Sequence, residues 1–330
     1  MRPPAMSFLL VVLALAMWAG RVWGAPQSAE FARIGGHDYV RLADWARGRN
    51  LEVRWLKPEE SIQLSNHSLK ILLTVDHREA QINGTEIWLL FPAALRNGGV
   101  YVAQLDLQTT FQPILSPPRN QPGTKIKMVC LDPGHGGKDP GYRVGANQEK
   151  KYALLLAQEV GQQLVRAGFR VFFTRSTDTF VELPTRPEMA KRRGADVLLS
   201  LHFNSADASR DSVRGAEVYC LTPAGASSTN ARGEGGGAGP CAGNRCNDKN
   251  MFLAYQLQKA VTRSLGVEDR GVRRARFAVL RDAVMPATLI EAGFMSHPAE
   301  GRKIFSAAYR QKLARAIVGG LLAYKRQVEM

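Results

Sequence analysis

The amino-acid sequence reads IKMVCLDPGHGG over residues 126–137, and this segment indicates the class of fold. Its first half is a short apolar run of the kind that forms a buried strand. The run ends at Asp132, and His135 follows between glycines, which allow the backbone to approach a metal ion or a substrate closely. A strand that ends in such a turn is typical of the carboxyl edge of an open α/β sheet, where ligands bind.

The same alternation of apolar runs and amphipathic segments continues to the end of the chain. We predict strands at residues 126–131, 169–174, 197–203, 216–221, 277–280 and 287–290. We predict helices at residues 149–167, 186–193, 250–265 and 309–327. Apolar strands that alternate with helices indicate an α/β fold with a mostly parallel sheet flanked by helices. The segment 223–249 interrupts the pattern with a Gly-rich core and predicts a long surface loop.

The residues before this region have a different pattern. Residues 25–115 hold short alternating apolar runs separated by turn sequences such as Asn83-Gly84, which predicts a small β-rich, α+β module. Residues 116–124 contain three prolines and predict a stiff linker. We therefore expect a second domain over residues 125–330.

The first 24 residues predict a secretory signal peptide, because a basic start precedes an apolar middle and a small-residue exit. Val22 and Gly24 are suitably placed for a cut before Ala25. An uncleaved membrane anchor is the alternative. We expect an exported protein, periplasmic or extracellular, with no transmembrane span after signal removal.

Export bears on the four cysteines, because an oxidising compartment favours disulfides over thiolate metal sites. Cys220, Cys241 and Cys246 bracket the Gly-rich segment. A disulfide between Cys241 and Cys246, or between Cys220 and either of them, would close that loop. Cys130 lies in an apolar run and can be a small buried hydrophobe.

Composition narrows the class of protein. A chain of 330 residues with 45% hydrophobic residues can bury one or two globular cores, so it is not a disordered protein. A formal net charge of +15 predicts an anionic partner: a cell-wall polymer, a membrane surface or nucleic acid. Since no zinc-finger spacing or RNA-binding aromatic motif is present in the sequence, we do not expect a nucleic-acid partner.

Residues that bind metals or move protons fall at the ends of the predicted strands. His135 and His202 each end an apolar run, and Glu291 ends another. Glu149 lies at the start of the helix after the first strand. The carboxyl ends of parallel strands share one edge of a sheet, so we expect these side chains to converge. Two imidazoles and two carboxylates match a zinc site with three protein ligands, an open fourth position and a carboxylate base.

The motifs of this region resemble those of the zinc-dependent N-acetylmuramoyl-L-alanine amidases of bacterial cell walls. The motifs are LDPGHGG (131–137), QEK (148–150), TRSTD (174–178), ADVLLSLHFNS (195–205), DRGV (269–272) and LIEAGF (289–294). They occur in the order typical of that family. The N-terminal module resembles, loosely, the N-terminal domain of copper amine oxidases.

The amidase resemblance implies roles for particular residues. His135, Glu149 and His202 would bind one Zn²⁺, and Glu291 would be the catalytic carboxylate. The substrate would be the amide bond between N-acetylmuramic acid and L-alanine in peptidoglycan, cleaved during cell-wall remodelling or daughter-cell separation. Asp132 is a candidate for orienting a metal-bound imidazole.

Arg175 and Asn204 also lie near strand ends, and we predict that they position substrate or support the metal site. A group of arginines lies close in sequence to Glu291 and could either hold the carboxylates of the stem peptide or form a solvated basic face. These are Arg270, Arg273, Arg274, Arg276 and Arg281.

Other functions are compatible with the same residues. A zinc peptidase that cuts within the stem peptide would use the same metal and base, and a non-catalytic wall-binding protein could keep the fold. The N-terminal module could bind a wall polymer or an activator. The Gly-rich segment disfavours the blocking helix that some amidases insert, and a disulfide-pinned flap is the alternative.

Overall fold

The computed structural model describes residues 29–206, 208–209, 211–229 and 239–330. The predicted signal peptide lies outside the described residues, and so does most of the Gly-rich part of segment 223–249. In the described part of the chain, no helix combines the length and the apolar character needed to span a bilayer.

The first part of the described chain, up to Leu115, is rich in short strands, as predicted. The strands are β1 Phe31–Ile34, β2 His37–Arg41, β3 Glu52–Lys57, β4 Ser61–Ser65, β5 Lys70–Thr74, β6 Glu79–Ile82, β7 Thr85–Trp88, β8 Ala94–Arg96 and β9 Gly99–Ala103. The helical segments are α1 Leu42–Arg47, α2 Gln104–Asp106, a π-helical turn Leu107–Phe111 and α3 Gln112–Leu115. Asn83 and Gly84 both have positive φ angles, as the predicted hairpin turn between β6 and β7 requires.

The second part alternates strands and helices. Its strands are β10 Met128–Pro133, β11 Arg143–Val144, β12 Asn147–Gln148, β13 Arg170–Phe173, β14 Val197–Asn204, β15 Ala216–Leu221, β16 Asp269–Ala275 and β17 Ala287–Phe294. Its helices are α4 Glu149–Arg166, α5 Thr185–Arg192, α6 Asn247–Leu265, α7 Ala278–Arg281, α8 Pro298–Phe305 and α9 Ala307–Val328, and a 3₁₀ turn covers Ala242–Cys246.

The main sheet has eleven strands in the order β13-β10-β14-β17-β15-β16-β7-β6-β5-β4-β3. Strands β13, β10, β14 and β17 are mutually parallel, which places their carboxyl ends at one edge. Strand β15 pairs antiparallel with β17 and parallel with β16. The strands of the second part therefore form the predicted mostly parallel sheet, with one antiparallel junction between β15 and β17. The strands of the N-terminal part, β7 to β3, extend this sheet with antiparallel pairings.

Burial explains why the central elements form. Leu156, Val160 and Leu164 repeat at the helical spacing along α4 and are fully buried. The helix ends before Gly168, whose φ of +86° suits a left-handed residue after a helix. Strand β14 is buried along most of its length, as a strand covered by helices on both faces should be.

The two parts of the chain share the main sheet. Strand β7 pairs parallel with β16, with Ile87 opposite Val272. Near this seam, the fully buried Arg274 donates to the Thr109 carbonyl oxygen at 2.6 Å and to Thr110 Oγ1 at 3.0 Å. Apolar residues of both parts also belong to one core cluster. The N-terminal module is thus packed against the second part through backbone pairing, a buried cation and apolar contacts.

The prediction of a strand at residues 277–280 is wrong. This segment forms α7, and the strand lies just before it, at β16. Three arginines fall within β16, so its sequence lacks the apolar pattern of a buried strand. Their guanidinium groups are accommodated by ion pairs or by carbonyl oxygens. Helix α8 was not predicted. His297 precedes this helix and caps it by accepting a hydrogen bond from the Glu300 amide.

The predicted disulfides are absent, since all four cysteines are free. Cys220 is buried in β15, where its Sγ faces the Arg273 carbonyl oxygen at 3.6 Å. Cys241 Sγ contacts Asn244 Oδ1 at 3.2 Å, whereas Cys246 Sγ faces a different carbonyl oxygen at 3.8 Å. The three sulfurs have separate surroundings. Cys130 is a buried small side chain, as the alternative prediction had it.

The seam provides a prediction of pH-dependent stability. Burial, and then the charge of Asp269, raise the pKa of Glu86 to about 7. Because the folded state binds this proton more tightly than the unfolded chain, Glu86 makes the protein less stable as pH rises from about 4.5 through about 7. We therefore expect Glu86→Gln to raise the melting temperature near about pH 8 but not near about pH 4.

Thermal unfolding at the two pH values measures this effect. The matched control is Glu52→Gln, which changes an exposed glutamate on the outermost strand β3. A gain in stability for Glu86→Gln that is equal at both pH values would contradict the prediction.

Candidate functional site

Three predicted metal ligands converge at the carboxyl edge of the main sheet. His135 lies in the turn after β10, Glu149 is the first residue of α4, and His202 lies near the end of β14. His135 Nε2 lies 3.0 Å from Glu149 Oε2, and His202 Nδ1 lies 2.9 Å from Glu149 Oε1. One ligand atom from each residue can be chosen such that all three lie within 4.8 Å of one another. Such a set of nitrogen and oxygen atoms can hold one divalent cation.

Electrostatics at this cluster favour a negative Glu149. Burial alone would raise the pKa of its carboxyl group, but hydrogen bonds from His135 and His202 outweigh burial and lower it. Burial likewise acts to lower the pKa of His135, and the carboxylates of Glu149 and Asp139 reverse that effect and raise it. The buried carboxylate and the two rings therefore depend on one another electrostatically.

Two glycines make room for the ligands. A Cβ atom on Gly134 would lie 2.2 Å from Cε1 of His202, and one on Gly141 would lie 2.5 Å from Oε2 of Glu149. Gly141 also has a φ of +62°, which favours glycine. His135 itself has a φ of +59°, a left-handed conformation that costs energy for a residue with a side chain. Gly134 and Gly141 therefore allow the segment that follows β10 to approach the two other candidate ligands closely.

Glu291 lies on β17 and pairs in register with His202 on the neighbouring strand. Its Oε2 atom is buried and has no hydrogen-bond partner among the described residues. Burial, and then the charges of Glu149 and Glu217, raise the pKa of Glu291 well above its usual range. Both Glu291 and the three candidate ligands line one cavity of about 340 Å³. A carboxylate with an unused buried oxygen beside the three candidate ligands can accept a proton there.

The residues around His135 hold its turn in place. Asp139, four residues along, lies 2.7 Å from Nδ1 of His135, the ring nitrogen that faces away from Glu149. A carboxylate at the distal nitrogen fixes the orientation of a metal-binding imidazole. The expectation that Asp132 does this is wrong: its Oδ1 pairs with Arg186 at 2.9 Å, and Ser200 donates to its Oδ2 at 2.8 Å.

Arg175 supports the same turn. Its buried guanidinium donates to the carbonyl oxygens of Pro133, Gly134, Lys150 and Thr177 at 2.6 to 3.0 Å. These contacts correspond to the supporting role, the second of the two roles predicted from the sequence. The other role, that Arg175 positions substrate, stays a prediction.

Asn204 lines the cavity beside Glu291. Its Nδ2 donates to Glu217 Oε1 at 2.7 Å, and its Oδ1 accepts from the Ser205 amide at 2.7 Å. Glu217 is 3% exposed and also forms ion pairs with Arg270 and Arg273. Asn204 is therefore a fixed polar group of the cavity wall.

The five arginines predicted as a carboxylate-binding group are not one patch. Arg274 is buried at the seam, Arg281 pairs with Asp282, and Arg276 donates to the carbonyl oxygens of Pro223 and Gly239. Arg270 and Arg273 form ion pairs with Glu217. The cavity has instead an apolar side, formed by Leu183, Phe277, Val279 and Leu289.

Sequence reasoning missed three residues at this site: Asp139, Arg186 and Glu217. A signal existed for Asp139, since an acidic residue four positions after a metal-binding histidine in a Gly-rich turn can fold back onto its ring. Arg186 had none, because it reaches Asp132 from a separate helix. Glu217 had none either, because it lies near the start of a strand whose antiparallel direction was not predicted.

Comparisons with known proteins agree with the geometry. A sequence profile described as N-acetylmuramoyl-L-alanine amidase matches residues 129–323, more than half of the chain. A second profile, described as copper amine oxidase N-terminal domain, matches residues 27–113.

Individual relatives point the same way. Amidase AmiC of Neisseria meningitidis is 37% identical over 60% of this chain and 52% of its own length, so the chain spans about half of that relative. Amidase AmiA of Escherichia coli is 33% identical over 68% of this chain and 84% of its own. The solved amidase AmiC2 of Nostoc punctiforme is 32% identical with a TM-score of 0.51, covering 62% of this chain and 99% of its own. The chain therefore belongs to the family of N-acetylmuramoyl-L-alanine amidases, which are hydrolases.

Proposed function

We propose that the protein hydrolyses the amide bond between N-acetylmuramic acid and L-alanine in peptidoglycan, with one zinc ion held by His135, Glu149 and His202. The observation that carries the proposal is the convergence of these three ligands with Glu291 in a single cavity. Family membership supports the bond type, and the ligand set supports the metal. The biological setting would be cell-wall remodelling or daughter-cell separation.

The donor set suits zinc. Zinc binds histidine nitrogen and carboxylate oxygen readily, and a catalytic site leaves a fourth position open beside three protein ligands. His135 presents Nε2 to the cluster, because Asp139 occupies its other nitrogen, and His202 presents Nδ1. A zinc ion bound here would polarise the amide carbonyl and acidify a water molecule.

Glu291 handles the protons. Its carboxylate takes a proton from the attacking water and returns it to the nitrogen of L-alanine as the C–N bond breaks. The products are a muramic acid carboxylate and a peptide with a free amino terminus, so one water molecule is consumed. The unpartnered Oε2 of Glu291 is the atom available for this transfer.

The lining of the cavity supports the proposed substrate. Leu183 and Phe277 line the cavity and are 56% and 38% exposed, so they give it an accessible apolar part. They suit the methyl groups of the lactyl and alanyl units on either side of the scissile bond. Asn204, which also lines the cavity, would supply polar atoms for the substrate amides.

Domain organisation and location complete the proposal. We propose a signal peptide at residues 1–24, a β-rich module at 25–115, a linker at 116–124 and the amidase domain at 125–330. The protein would be exported to the periplasm or the cell surface, where peptidoglycan lies. The positive net charge supports attraction to an anionic wall. An activator or a wall polymer as a partner of the module remains a prediction.

Digestion of purified peptidoglycan tests the function. We expect glycan strands freed of peptide, together with stem peptides that have a new amino terminus at L-alanine, and we expect a chelator to stop their release. Mass analysis of the fragments distinguishes the alternatives. Shortened stems that stay attached to the glycan would identify a zinc peptidase, and an unchanged polymer would indicate a binding protein.

Removal of the proposed base should abolish turnover without removing the metal. We expect Glu291→Gln to lower kcat by roughly 100- to 10,000-fold, the usual contribution of a general base. Zinc content per chain should not change, because Glu291 is not one of the three ligands. Glu188→Gln, at an exposed glutamate on α5, is the matched control. Retained activity in the Glu291 variant would refute the assignment.

The close approach at Gly134 provides a separate test of the ligand geometry. We expect Gly134→Ala to weaken binding of Zn²⁺ or Co²⁺ by at least about tenfold, because the added methyl group displaces the His202 ring. Gly319→Ala is the control, since a Cβ there meets no atom within 4 Å. Calorimetric titration measures both affinities. Unchanged metal affinity in the Gly134 variant would show that His202 is not a ligand.

A further inference from the structure

A tryptophan of the N-terminal module contacts strand β16 of the second part of the chain. Trp88 ends β7, the strand that pairs with β16. Its indole Nε1 donates to the Arg270 carbonyl oxygen at 3.1 Å. Its ring lies under the Arg273 guanidinium, with Cζ 4.1 Å from the ring centroid. One side chain of the module therefore holds both the backbone and a cation of β16.

The two arginines hold one buried carboxylate. Arg273 Nε lies 2.9 Å from Glu217 Oε2, and Arg270 Nε lies 3.2 Å from the same oxygen. Glu217 Oε1 accepts from Asn204 at 2.7 Å and from the Tyr219 hydroxyl at 2.8 Å. Because Glu217 is almost fully buried, loss of a cation would leave a charge that the protein compensates poorly, and the side chain would have to move.

Movement of Glu217 would reach the catalytic cavity by two routes. Glu217 and Glu291 are direct partners in the antiparallel pairing of β15 and β17, and direct partners project on the same face of a sheet. Glu217 also fixes the amide of Asn204, which lines the cavity. Both the proposed base and a polar wall residue therefore depend on where this carboxylate sits.

We propose that Trp88 of the N-terminal module is a positioning residue for the catalytic centre, acting through Arg273 and Glu217. Trp88 touches neither the proposed metal ligands nor Glu291, so it would act only by holding the residues that do. The module would then be a structural component of the active enzyme rather than only an attachment to the wall. This inference rests on the proposed amidase function.

Trp88→Ala in the full-length zinc enzyme tests the inference on a soluble muramoyl-peptide. We expect kcat to fall by about tenfold. This is less than the roughly 100-fold loss that a 1 Å misplacement at a reacting centre can cause, because Trp88 acts through other residues. KM should change by less than about twofold, because the groups affected act in the transition state. Zinc affinity should stay at the wild-type value, since no ligand is moved. Trp88→Phe keeps a ring under Arg273 and should recover at least about half of kcat.

The matched control is Trp55→Ala. Trp55 is also a partly buried tryptophan of the module, but it lies on β3, at the far edge of the same sheet. We expect its loss to lower the melting temperature while kcat stays within about twofold of the wild type. Equal losses of kcat in the two variants would overturn the inference, because they would reflect general destabilisation of the module.

A double-mutant cycle keeps the test decisive if Trp88→Ala folds poorly. Arg273→Gln removes the cation between Trp88 and Glu217, and we expect it to lower kcat by about tenfold as well. Trp88→Phe combined with Arg273→Gln should then be no slower than Arg273→Gln alone. Additive effects, or wild-type kcat in Arg273→Gln, would overturn the inference. An inactive wild-type enzyme would instead refute the proposed function, which separates the two failures.

Discussion

A buried carboxylate between two imidazole rings is the interaction on which the arrangement of this site depends. Glu149 is only 6% exposed at its side chain, and a buried carboxylate without partners would strongly oppose folding. His135 and His202 supply those partners from two neighbouring strands. Packing of α4 against the sheet brings Glu149 to them, so the same crossover that builds the α/β core also assembles the cluster.

The antiparallel pairing of β15 with β17 brings further charged groups to the carboxyl edge of the main sheet. Since β15 runs opposite to β17, its first residues arrive where the parallel strands end. Glu217 is thereby placed beside Glu291, together with the arginines of β16. Strand β16 in turn pairs with β7 of the N-terminal module. Sequence segments that match two separate family profiles thus contribute strands to one sheet.

The sequence predicted the parts of the structure that follow from apolar spacing. Helices α4, α6 and α9 and most strands of the second part begin and end within a few residues of the predicted bounds, because most residues on their buried faces are apolar. His135, Glu149, His202 and Glu291 could be selected because each lies at the end of such an apolar element. Their convergence follows from the parallel direction of β10, β14 and β17.

Features that depend on long-range polar contacts could not be predicted in this way. Strand β16 was missed because arginines occupy positions where a buried strand normally carries aliphatic residues, and Arg274 is fully buried through contacts with the module. Cysteine spacing suggested disulfides, but spacing does not reveal the direction of each sulfur. The pairing of β7 with β16 has no local signal, since it joins residues far apart in the chain.

Anomalous scattering from a crystal of the zinc-loaded protein, recorded at the zinc absorption edge, tests the central claim most directly. The account predicts one zinc ion per chain, within bonding distance of His135 Nε2, His202 Nδ1 and a carboxylate oxygen of Glu149. A zinc ion bound elsewhere, or one that lacks any of these three ligands, would contradict it.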